Sequence, residues 1–539
     1  MNNTFVEWDD YDNLVNNPHI RVVSVDNVRW MLKTDLLGVW QPLSWLVTTI
    51  EYRCLGGDDP ASFRSGLEAV SIGLHAIAAI LCFFIVAQLT LLVLRDRPAL
   101  APTHVAIGAT ASSLFFALHP LRAEVVAWAS GQPYLLATIG CLAATACYLR
   151  AVDTARRRWH IAALLCLTAG LLCKSIAVSL VAVWLLLDIY PLRRFRRYTG
   201  GHRATARGVL LEKLPYVAVS VAAVVLAYRA NLATADYRPE PLAVQALITL
   251  FCLGWYAMLT FVPAGIAPFY ARPHPAADIL TNPWLLGAVL AGILLTIAAV
   301  HLRRRRPGLL VAWLGHAVIV LPTTGWVPHG GQMAADRYAY LPGIVWAALL
   351  APLITLAWAG RRTGRHRHAI RALTVVLITA VLIGLTARTR VGCRVWHDSI
   401  ALWTAMVERN PGWPNGPYQL AKLHNARGDP AAAERFYRHA LEIYPGYPEA
   451  NVNLGILLQS RGDLQAARLH YRRALQERPG FHMAHYNLAC LLIRQSRYAE
   501  ALHHLERAEA DAVRTDSSKL PIIRGRLREI RPLANREGR

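Results

Sequence analysis

Two adjacent carboxylates near the amino end, Asp9 and Asp10, are the first residues of this chain whose chemistry suggests a function. They lie in the polar stretch Phe5–Asp10, ahead of a long apolar and basic chain. Beside a lipid surface, such a carboxylate can accept the proton of a hydroxyl group as the hydroxyl attacks the anomeric carbon of a sugar. Because neighbouring Asp side chains point in different directions, we expect one base and one residue that orients it or binds a cation. A solvated acidic turn is the commoner role of an isolated Asp-Asp pair, and both interpretations stay open.

A second group of ionisable residues, His119, Arg122 and Glu124, falls within six positions between two apolar runs. A lipid phosphate that leaves as an anion needs cations and donors around its developing charge. His119 or Arg122 is suited to face such a phosphate, and Glu124 is suited to bind a sugar hydroxyl or to hold a partner cation. The alternative is that these residues are anchors at a membrane boundary, which is the simpler interpretation of Arg122.

Lys174 interrupts the apolar run 160–190, which is too long for one membrane span. We therefore predict two short spans that turn at Cys173-Lys174-Ser175. The ammonium group of Lys is a compact charge that can contact a carrier phosphate. An interfacial Lys whose charge simply reaches the headgroups is an equally good interpretation.

A further candidate stretch, Asp336-Arg337-Tyr338, opens the apolar run 338–358. The guanidinium of Arg337 can bind a phosphate bidentately and so complete a donor pocket. Alternatively, Asp336 and Arg337 form a local ion pair, and Tyr338 belongs to an interfacial aromatic belt. Tyr270 and His329, in neighbouring loops, are additional candidates.

Composition places the chain among membrane proteins. It has 539 residues, 55% of them hydrophobic, and a formal net charge of +23. Repeated apolar runs of about twenty residues are typical of helical membrane proteins. The positive charge is concentrated in short loops between these runs, at Arg193–Arg207, Arg303–Arg306 and Arg361–Arg371. This pattern is the bias of cytoplasmic loops and argues against nucleic acid as a partner.

The apolar runs predict a polytopic helical membrane domain over residues 66–390, preceded by an acidic segment with interfacial helices at 1–65. If residues 1–65 lie outside, the basic loops all fall inside, provided that the run 242–262 does not fully cross. The nine cysteines lie mostly within apolar runs and indicate no disulfide framework or metal site. The predicted spans cover roughly 66–94, 103–118, 132–150, 160–173, 175–190, 209–229, 283–301, 309–322, 338–358 and 369–387.

After residue 391 the chain becomes polar and repeats itself. Pro411, Pro445 and Pro479 are separated by 34 residues each, and several other positions keep the same step. A period of 34 is that of the tetratricopeptide repeat, a helix-turn-helix unit that stacks into a solenoid. We predict such a solenoid over 391–515 and a basic capping helix or disordered tail over 516–539. The complete fold class is therefore all-α.

Several of these motifs, in their order along the chain, resemble the transmembrane and tetratricopeptide-repeat (TMTC-like) proteins of the GT-C class of membrane glycosyltransferases. That family is related to protein O-mannosyltransferases. Its members carry an apolar span ahead of the Trp-Asp-Asp loop, where this chain has only Met1–Thr4, so either the start is misassigned or that span is missing. The resemblance covers nearly the whole chain and rests on Phe5–Asp10 with Asn17–Ile20, Trp40–Trp45, Ala117–Trp128, Lys174-Ser175, Leu187–Leu192, Ala335–Pro342 and the repeats.

The resemblance implies transfer of a mannose-like sugar from a polyprenyl- or dolichyl-phosphate carrier to Ser/Thr hydroxyls of a protein, on the non-cytosolic face. It implies Asp9 and Asp10 as candidate bases, with the donor phosphate bound by the later motifs. A divalent cation is left open, and the repeats would bind the protein acceptor. The composition favours a bacterial inner membrane with the repeats in the periplasm.

Two rival functions remain. One is a membrane-anchored repeat scaffold for protein–protein interaction whose transferase site has decayed. The other is a transporter or lipid flippase, which would need ionisable residues deep within spans. The notable ionisable residues sit at loop edges, which favours chemistry at the interface.

Overall fold

The structure is a computed structural model that describes residues 4–97, 100–195, 205–234, 241–272, 282–326, 332–360, 365–515 and 517–537. His329 lies outside these ranges. Two compact units are present, Met1–Leu402 and Trp403–Arg539. Apart from one short antiparallel pairing, of β1 (Tyr270–Ala271) with β2 (Gln332–Ala334), the described secondary structure is helical. The prediction of an all-α fold is confirmed.

The first unit consists of fifteen α-helices among the described residues, with short 3-10 turns between them. Their bounds are α1 (Val25–Lys33), α2 (Pro42–Cys54), α3 (Pro60–Leu94), α4 (Pro102–Ala117), α5 (Ala123–Ala127), α6 (Gln132–Thr154), α7 (Arg157–Cys173), α8 (Leu180–Ile189), α9 (Ala206–Leu211), α10 (Leu214–Thr234), α11 (Leu242–Phe261), α12 (Pro283–His301), α13 (Pro307–Val320), α14 (Pro342–Ala359) and α15 (Arg365–Arg394).

Local sequence signals explain where several of these helices begin. Proline occupies the first turn of α3 and of α12, where its missing N–H costs no helical hydrogen bond. The residue before each of them caps the helix. Asp59 accepts hydrogen bonds from two backbone N–H groups of α3, and Asn282 does the same for α12.

By length and composition, seven described helices are able to cross a membrane. The helix pair Pro102–Ala117 and Pro120–Ala127, bent by 57°, would raise the number to eight. The seven helical segments are Pro60–Leu94, Ala129–Thr154, Ala206–Leu232, Leu242–Phe261, Pro283–Arg304, Asp336–Ala359 and His368–Arg394.

Glycines allow two helix pairs to pack with their backbones in contact. A Cβ at Gly254 of α11 would lie 1.8 Å from the carbonyl oxygen of Ala288 in α12. A Cβ at Gly140 of α6 would lie 2.8 Å from Cα of Gly170 in α7. Small residues at such crossings are the usual means by which helices pack where the hydrophobic effect is weak.

Helix α11 is continuous over 20 residues and makes polar contacts with loops near both of its ends. Near its start, Gln245 donates to the carbonyl oxygen of Thr324, 2.6 Å away, in the loop after α13. Near its end, the carbonyl oxygen of Thr260 lies 3.0 Å from Nε2 of His119, in the loop after α4. Length and composition allow Leu242–Phe261 to cross a membrane, and the expectation that residues 242–262 do not fully cross stays a prediction.

The amino-terminal segment packs on the first unit through its own apolar cluster, which includes Phe5, Trp45 and Phe63. Its backbone is also tied to the segment that follows α15. The N–H of Thr4 donates to the carbonyl oxygen of His397 at 2.9 Å, and the N–H of Glu7 donates to Ser399 Oγ at 2.8 Å. These two hydrogen bonds fix the stretch that leads to Asp9 and Asp10.

The second unit is a series of antiparallel helix pairs. Each pair turns at a residue with positive φ, namely Gly428 at +77°, Gly462 at +89° and Ser496 at +58°, which are 34 residues apart. The last helix buries Ile523 and Leu527 against the core. Helix α16 (Ser399–Arg409) crosses the boundary between the units. The helices that follow are α17 (Asn415–Ala426), α18 (Pro430–Ile443), α19 (Pro448–Ser460), α20 (Leu464–Glu477), α21 (His482–Arg494), α22 (Tyr498–Arg514) and α23 (Leu520–Glu537).

All nine cysteines are free thiols. Cys82, Cys141 and Cys252 are fully buried in the first unit, where they pack as small apolar side chains. Cys54, at the end of α2, is the exposed one.

Candidate functional site

Asp9 presents a partly buried carboxylate at the edge of the first unit. Within the part of the chain that the structure describes, no group donates a hydrogen bond to this carboxylate. Burial raises the pKa of Asp9 to about 6, and the nearby charges of Arg337 and Lys174 oppose that rise. A carboxylate that receives no hydrogen bond and has a pKa near neutrality is well suited to accept a proton from a substrate.

Asp10 is fully buried and serves to hold the loop. Its Oδ1 accepts hydrogen bonds from the N–H and the hydroxyl of Ser130, at 3.0 and 2.6 Å. Its Oδ2 accepts from the N–H of Val6 at 3.1 Å. Burial raises the pKa of Asp10, and these hydrogen bonds oppose the rise. The two adjacent acids thus differ in their surroundings, since Asp9 is partly exposed and Asp10 is buried with three hydrogen bonds. Their division into a base and a residue that orients it stays a prediction.

Lys174 lies at the turn between α7 and the 3-10 turn Ser175–Ser179. Its ammonium donates to Oε1 of Gln41 at 3.2 Å and lies 5.1 Å from the ring centroid of Tyr134. Burial and the neighbouring charge of Arg337 lower the pKa of Lys174 to about 8, and Asp9 opposes that shift. Lys174 therefore belongs to the same electrostatic cluster as Asp9 and Arg337.

Arg337 and Glu124 form a buried ion pair. The Nη1 of Arg337 is 2.6 Å from Oε1 of Glu124, and its backbone N–H donates to Oε2 at 2.8 Å. The guanidinium also faces the rings of Trp128 and Tyr338, at 5.5 and 5.0 Å from their centroids. Glu124 thus holds both the side chain and the backbone of Arg337, whose charge acts on Asp9 and Lys174.

Asp336 and Tyr338 are the sequence neighbours of Arg337 and lie in the same loop. Asp336 accepts a hydrogen bond from the hydroxyl of Tyr270 at 2.7 Å. The alternative interpretation, a local ion pair with Arg337, is not seen among the described residues, where Arg337 pairs with Glu124. The hydroxyl of Tyr338 accepts from Nε2 of Gln332 at 2.9 Å. Both side chains are buried, and a role of either residue in donor binding stays a prediction.

His119 and Arg122 are placed differently from the phosphate-facing residues that the sequence suggests. His119 is completely buried, with Nε2 3.0 Å from the carbonyl oxygen of Thr260 and Nδ1 accepting from the N–H of Leu121. Arg122 donates to the carbonyl oxygen of Ala339 at 2.7 Å beneath aromatic rings. In this conformation both nitrogens of His119 are occupied by backbone, and a role of either residue in donor binding stays a prediction.

Asp9, Lys174, Arg337 and Glu124 thus come together from four distant parts of the sequence. The arrangement offers one accessible acid and two cations beside it. Residues that the sequence analysis did not single out hold it in place, namely Gln41 against Lys174, Tyr134 beneath Lys174 and Ser130 on Asp10. The signal that could have found Gln41 is its place in the Trp40–Trp45 motif, where an amide precedes a helix-starting proline.

The sequence analysis leaves open whether this site binds a divalent cation. Among the residues that the structure describes, no three His, Cys, Asp or Glu side chains stand close enough to hold a metal ion. Cation binding by Asp10 would also compete with its three hydrogen bonds.

Comparisons with known proteins address the second unit. A tetratricopeptide-repeat family model matches residues 452–517, and a second tetratricopeptide-repeat model matches residues 418–457. Residues 418–517 form tetratricopeptide repeats. No curated protein matches the chain. A solved structure described as the crystal structure of the yeast Tom70 aligns with 78% of this chain and 95% of that chain, at 13% identity and a TM-score of 0.20. A score this low carries no argument about the fold.

The tetratricopeptide repeats place amide side chains in one register. Gln419, Asn453 and Asn487 are 34 residues apart, on the first helix of successive helix pairs, and each is partly exposed. Asn487 donates to a carbonyl oxygen of its own helix, and Asn453 donates to the hydroxyl of Tyr418. Side-chain amides both donate and accept, so such a series can bind the backbone of an extended peptide.

Proposed function

We propose that this chain is a membrane glycosyltransferase that moves a sugar from a polyprenyl phosphate to a protein hydroxyl, with the tetratricopeptide repeats binding the acceptor. The observation that carries the proposal is the accessible carboxylate of Asp9, without a hydrogen-bond partner in the described chain, inside the electrostatic range of Lys174 and Arg337. A purely structural acid would be expected to have its lone pairs satisfied, as Asp10 does.

The proposed step is a single displacement. The acceptor hydroxyl oxygen forms a bond to the anomeric carbon, and the bond from that carbon to the carrier phosphate oxygen breaks. Asp9 takes the hydroxyl proton, and the phosphate leaves with the electron pair. Lys174 stabilises the departing charge, with Arg337 beside it, because both cations are already fixed and need no rearrangement. Such a displacement inverts the configuration at the anomeric carbon.

The proposal includes the side of the membrane. The basic stretches between apolar helices, such as Arg303–Arg306, mark the cytoplasmic side by their charge. Asp9, Lys174 and Arg337 lie at the other ends of these helices, and we therefore propose that the site faces the periplasm of a bacterial inner membrane.

A second candidate function is a membrane-anchored scaffold without catalysis. The family matches favour it, because they fall entirely within the tetratricopeptide repeats and those repeats commonly bind protein partners. In that case the cluster around Asp9 would only hold the amino-terminal segment in place.

The test uses the full chain in lipid vesicles with a radiolabelled polyprenyl-phosphate mannose and Ser/Thr-rich peptides. We expect Asp9→Asn to lower transfer by at least about 10²-fold, the usual contribution of a general base. The matched control is Asp12→Asn, which makes the same change at an exposed position three residues away and leaves transfer unchanged. A wild-type chain that binds the peptides but transfers no sugar would favour the scaffold. Equal transfer by Asp9→Asn and wild type would remove Asp9 from the chemistry.

A further inference from the structure

An apolar groove of about 480 Å³ runs between the helices of the first unit, away from the cluster around Asp9. It is walled by α3, α6, α8, α13 and α14. Its α14 wall is a single helical face with steps of three and one residues. That face consists of Leu341, Ile344, Val345, Ala348, Leu349, Pro352, Leu353 and Leu356.

The groove has the length of a lipid chain. At 1.5 Å per residue, the α14 wall from Leu341 to Leu356 extends over about 22 Å. One leaflet of a bilayer has a hydrocarbon depth of about 15 Å. The groove can therefore hold an extended acyl chain, with its end near the middle of a membrane.

One end of the groove is cationic. Arg97, which follows α3, and Arg305 and Arg306, which precede α13, complete its lining and are exposed. No carboxylate pairs with these three guanidinium groups within the ranges that the structure describes. Nearby, Arg193 is paired with Asp96 at 2.8 Å, so a local acid is already occupied. Three unpaired cations at the mouth of an apolar channel match an amphiphile with an anionic head.

We propose that this groove binds an anionic phospholipid, with an acyl chain along α14 and its phosphate at Arg305 and Arg306. The proposal rests on the membrane location given above. A membrane phospholipid fits the charge and the place, because the basic stretches mark the cytoplasmic leaflet, where anionic headgroups attract arginines. The sugar donor fits less well. A donor whose phosphate lay at these arginines would hold its sugar at the mouth of a groove that Asp9 does not line.

The experiment uses full-length protein in phosphatidylcholine vesicles that contain a trace of phosphatidylglycerol with a photoreactive group on its acyl chain. After illumination, mass spectrometry maps the labelled peptides. We expect labelling concentrated on α13 and α14 residues that line the groove. Unlabelled phosphatidylglycerol should reduce it at least fivefold, and added phosphatidylcholine at the same amount should not.

Two pairs of matched variants test the two parts of the site. Gly315→Leu fills the groove, since a Cβ at Gly315 points at the Val345 methyl groups 3.5 Å away, and it should lower labelling at least fivefold. Gly384→Leu makes the same change on α15, where nothing lies within 4 Å, and should have no effect.

Arg305→Gln with Arg306→Gln should weaken competition by phosphatidylglycerol. Arg303→Gln with Arg304→Gln removes the same charge from residues that do not line the groove.

Three results would overturn the proposal. They are uniform labelling of all apolar helices, equal losses in both members of a variant pair, and stronger competition by polyprenyl phosphate than by phosphatidylglycerol. The last would assign the groove to the donor chain. Sugar transfer is measured on the same vesicles, so a failure of the lipid-binding proposal can be distinguished from a failure of the proposed enzyme activity. Extraction of the chain from vesicles by alkaline carbonate would instead disprove the membrane location and with it this proposal.

Discussion

Arg337 contacts Glu124 through both its guanidinium and its backbone N–H, across 213 residues of sequence. One carboxylate therefore fixes both the position of the loop and the direction of the cation. The pair is buried, with side-chain exposures of 9% and 1%, so neither charge has water as an alternative partner.

We predict that Glu124→Ala destabilises the first unit strongly, because it leaves the buried guanidinium of Arg337 without its counter-charge. The loss in the free energy of unfolding should be about 3–5 kcal/mol. Thermal unfolding in detergent would measure it. Glu449→Ala, which breaks an exposed pair with Arg478, is the control and should cost no more than about 1 kcal/mol. Similar losses for the two variants would contradict the structural role of the Glu124 pair.

A second prediction concerns Asp10. In Asp10→Asn the new amide can keep the two hydrogen bonds from Ser130, but it would then place an N–H₂ group against the N–H of Val6. We expect a loss of about 1–3 kcal/mol and faster proteolysis of the amino-terminal segment. Ser130→Ala removes only the hydroxyl donor and should show a smaller effect in the same assays. An Asp10→Asn protein as protease-resistant as wild type would show that this carboxylate does not hold the loop.

The third prediction is the pH dependence of sugar transfer. Asp9 acts as a base only when ionised, so the rate should rise with pH through its pKa of about 6. Lys174 stabilises the leaving phosphate only when protonated, so the rate should fall above its pKa of about 8. Lys174→Arg should remove the alkaline fall, because an arginine stays charged. An alkaline fall that persists in Lys174→Arg would assign that limb to another group.

The sequence predicts the helical class and the repeats. It does so because hydropathy and a 34-residue period are local signals. It does not predict that Asp336 bonds Tyr270, or that backbone groups occupy both nitrogens of His119. Those contacts depend on which loops meet, and the pairing of loops from distant spans leaves no periodic trace in a single sequence.

The surroundings of a buried arginine at the site are similarly hard to predict from the sequence. Arg122 and Arg337 both lie in motifs with aromatic residues, and both face aromatic rings. Arg122, however, donates to a backbone carbonyl, whereas Arg337 pairs with Glu124. A motif supplies the side-chain type, whereas the packing of the neighbouring helices decides which way the side chain points.

A fourth prediction follows from Glu51 on α2, whose Oε1 accepts a hydrogen bond from Gln132 at 2.8 Å while its Oε2 is buried without a partner in the described chain. Burial raises the pKa of Glu51 to about 7, from the ordinary value of 4.5 for a glutamate. The folded state thus binds the proton more tightly, so stability should fall as pH rises from about 4.5 to 7, by up to about 3 kcal/mol. Glu51→Gln should flatten this dependence in thermal unfolding. An unchanged slope in the variant would rule out Glu51 as its source.

The fifth prediction tests the tetratricopeptide repeats. A Cβ at Gly455 would lie 2.5 Å from the ring of the fully buried Tyr471, so Gly455→Ala should destabilise the repeats by about 1–3 kcal/mol. Gly525→Ala is the control, because nothing lies within 4 Å in helix α23, and it should stabilise by about 0.5–1 kcal/mol. Calorimetry of both proteins checks the opposite signs, and a stabilising Gly455→Ala would contradict this packing.

The exposed thiol of Cys54 gives the native protein a reporter of sidedness. The other eight thiols, such as Cys82, are buried or partly buried and should react more slowly. A membrane-impermeant maleimide added to intact cells or spheroplasts would therefore first modify Cys54 at the end of α2. If the reagent modifies Cys54 of the native protein from the periplasmic side, then the amino-terminal segment with Asp9 and Asp10 lies on that side. Substrates that arrive from outside the cell can reach it there.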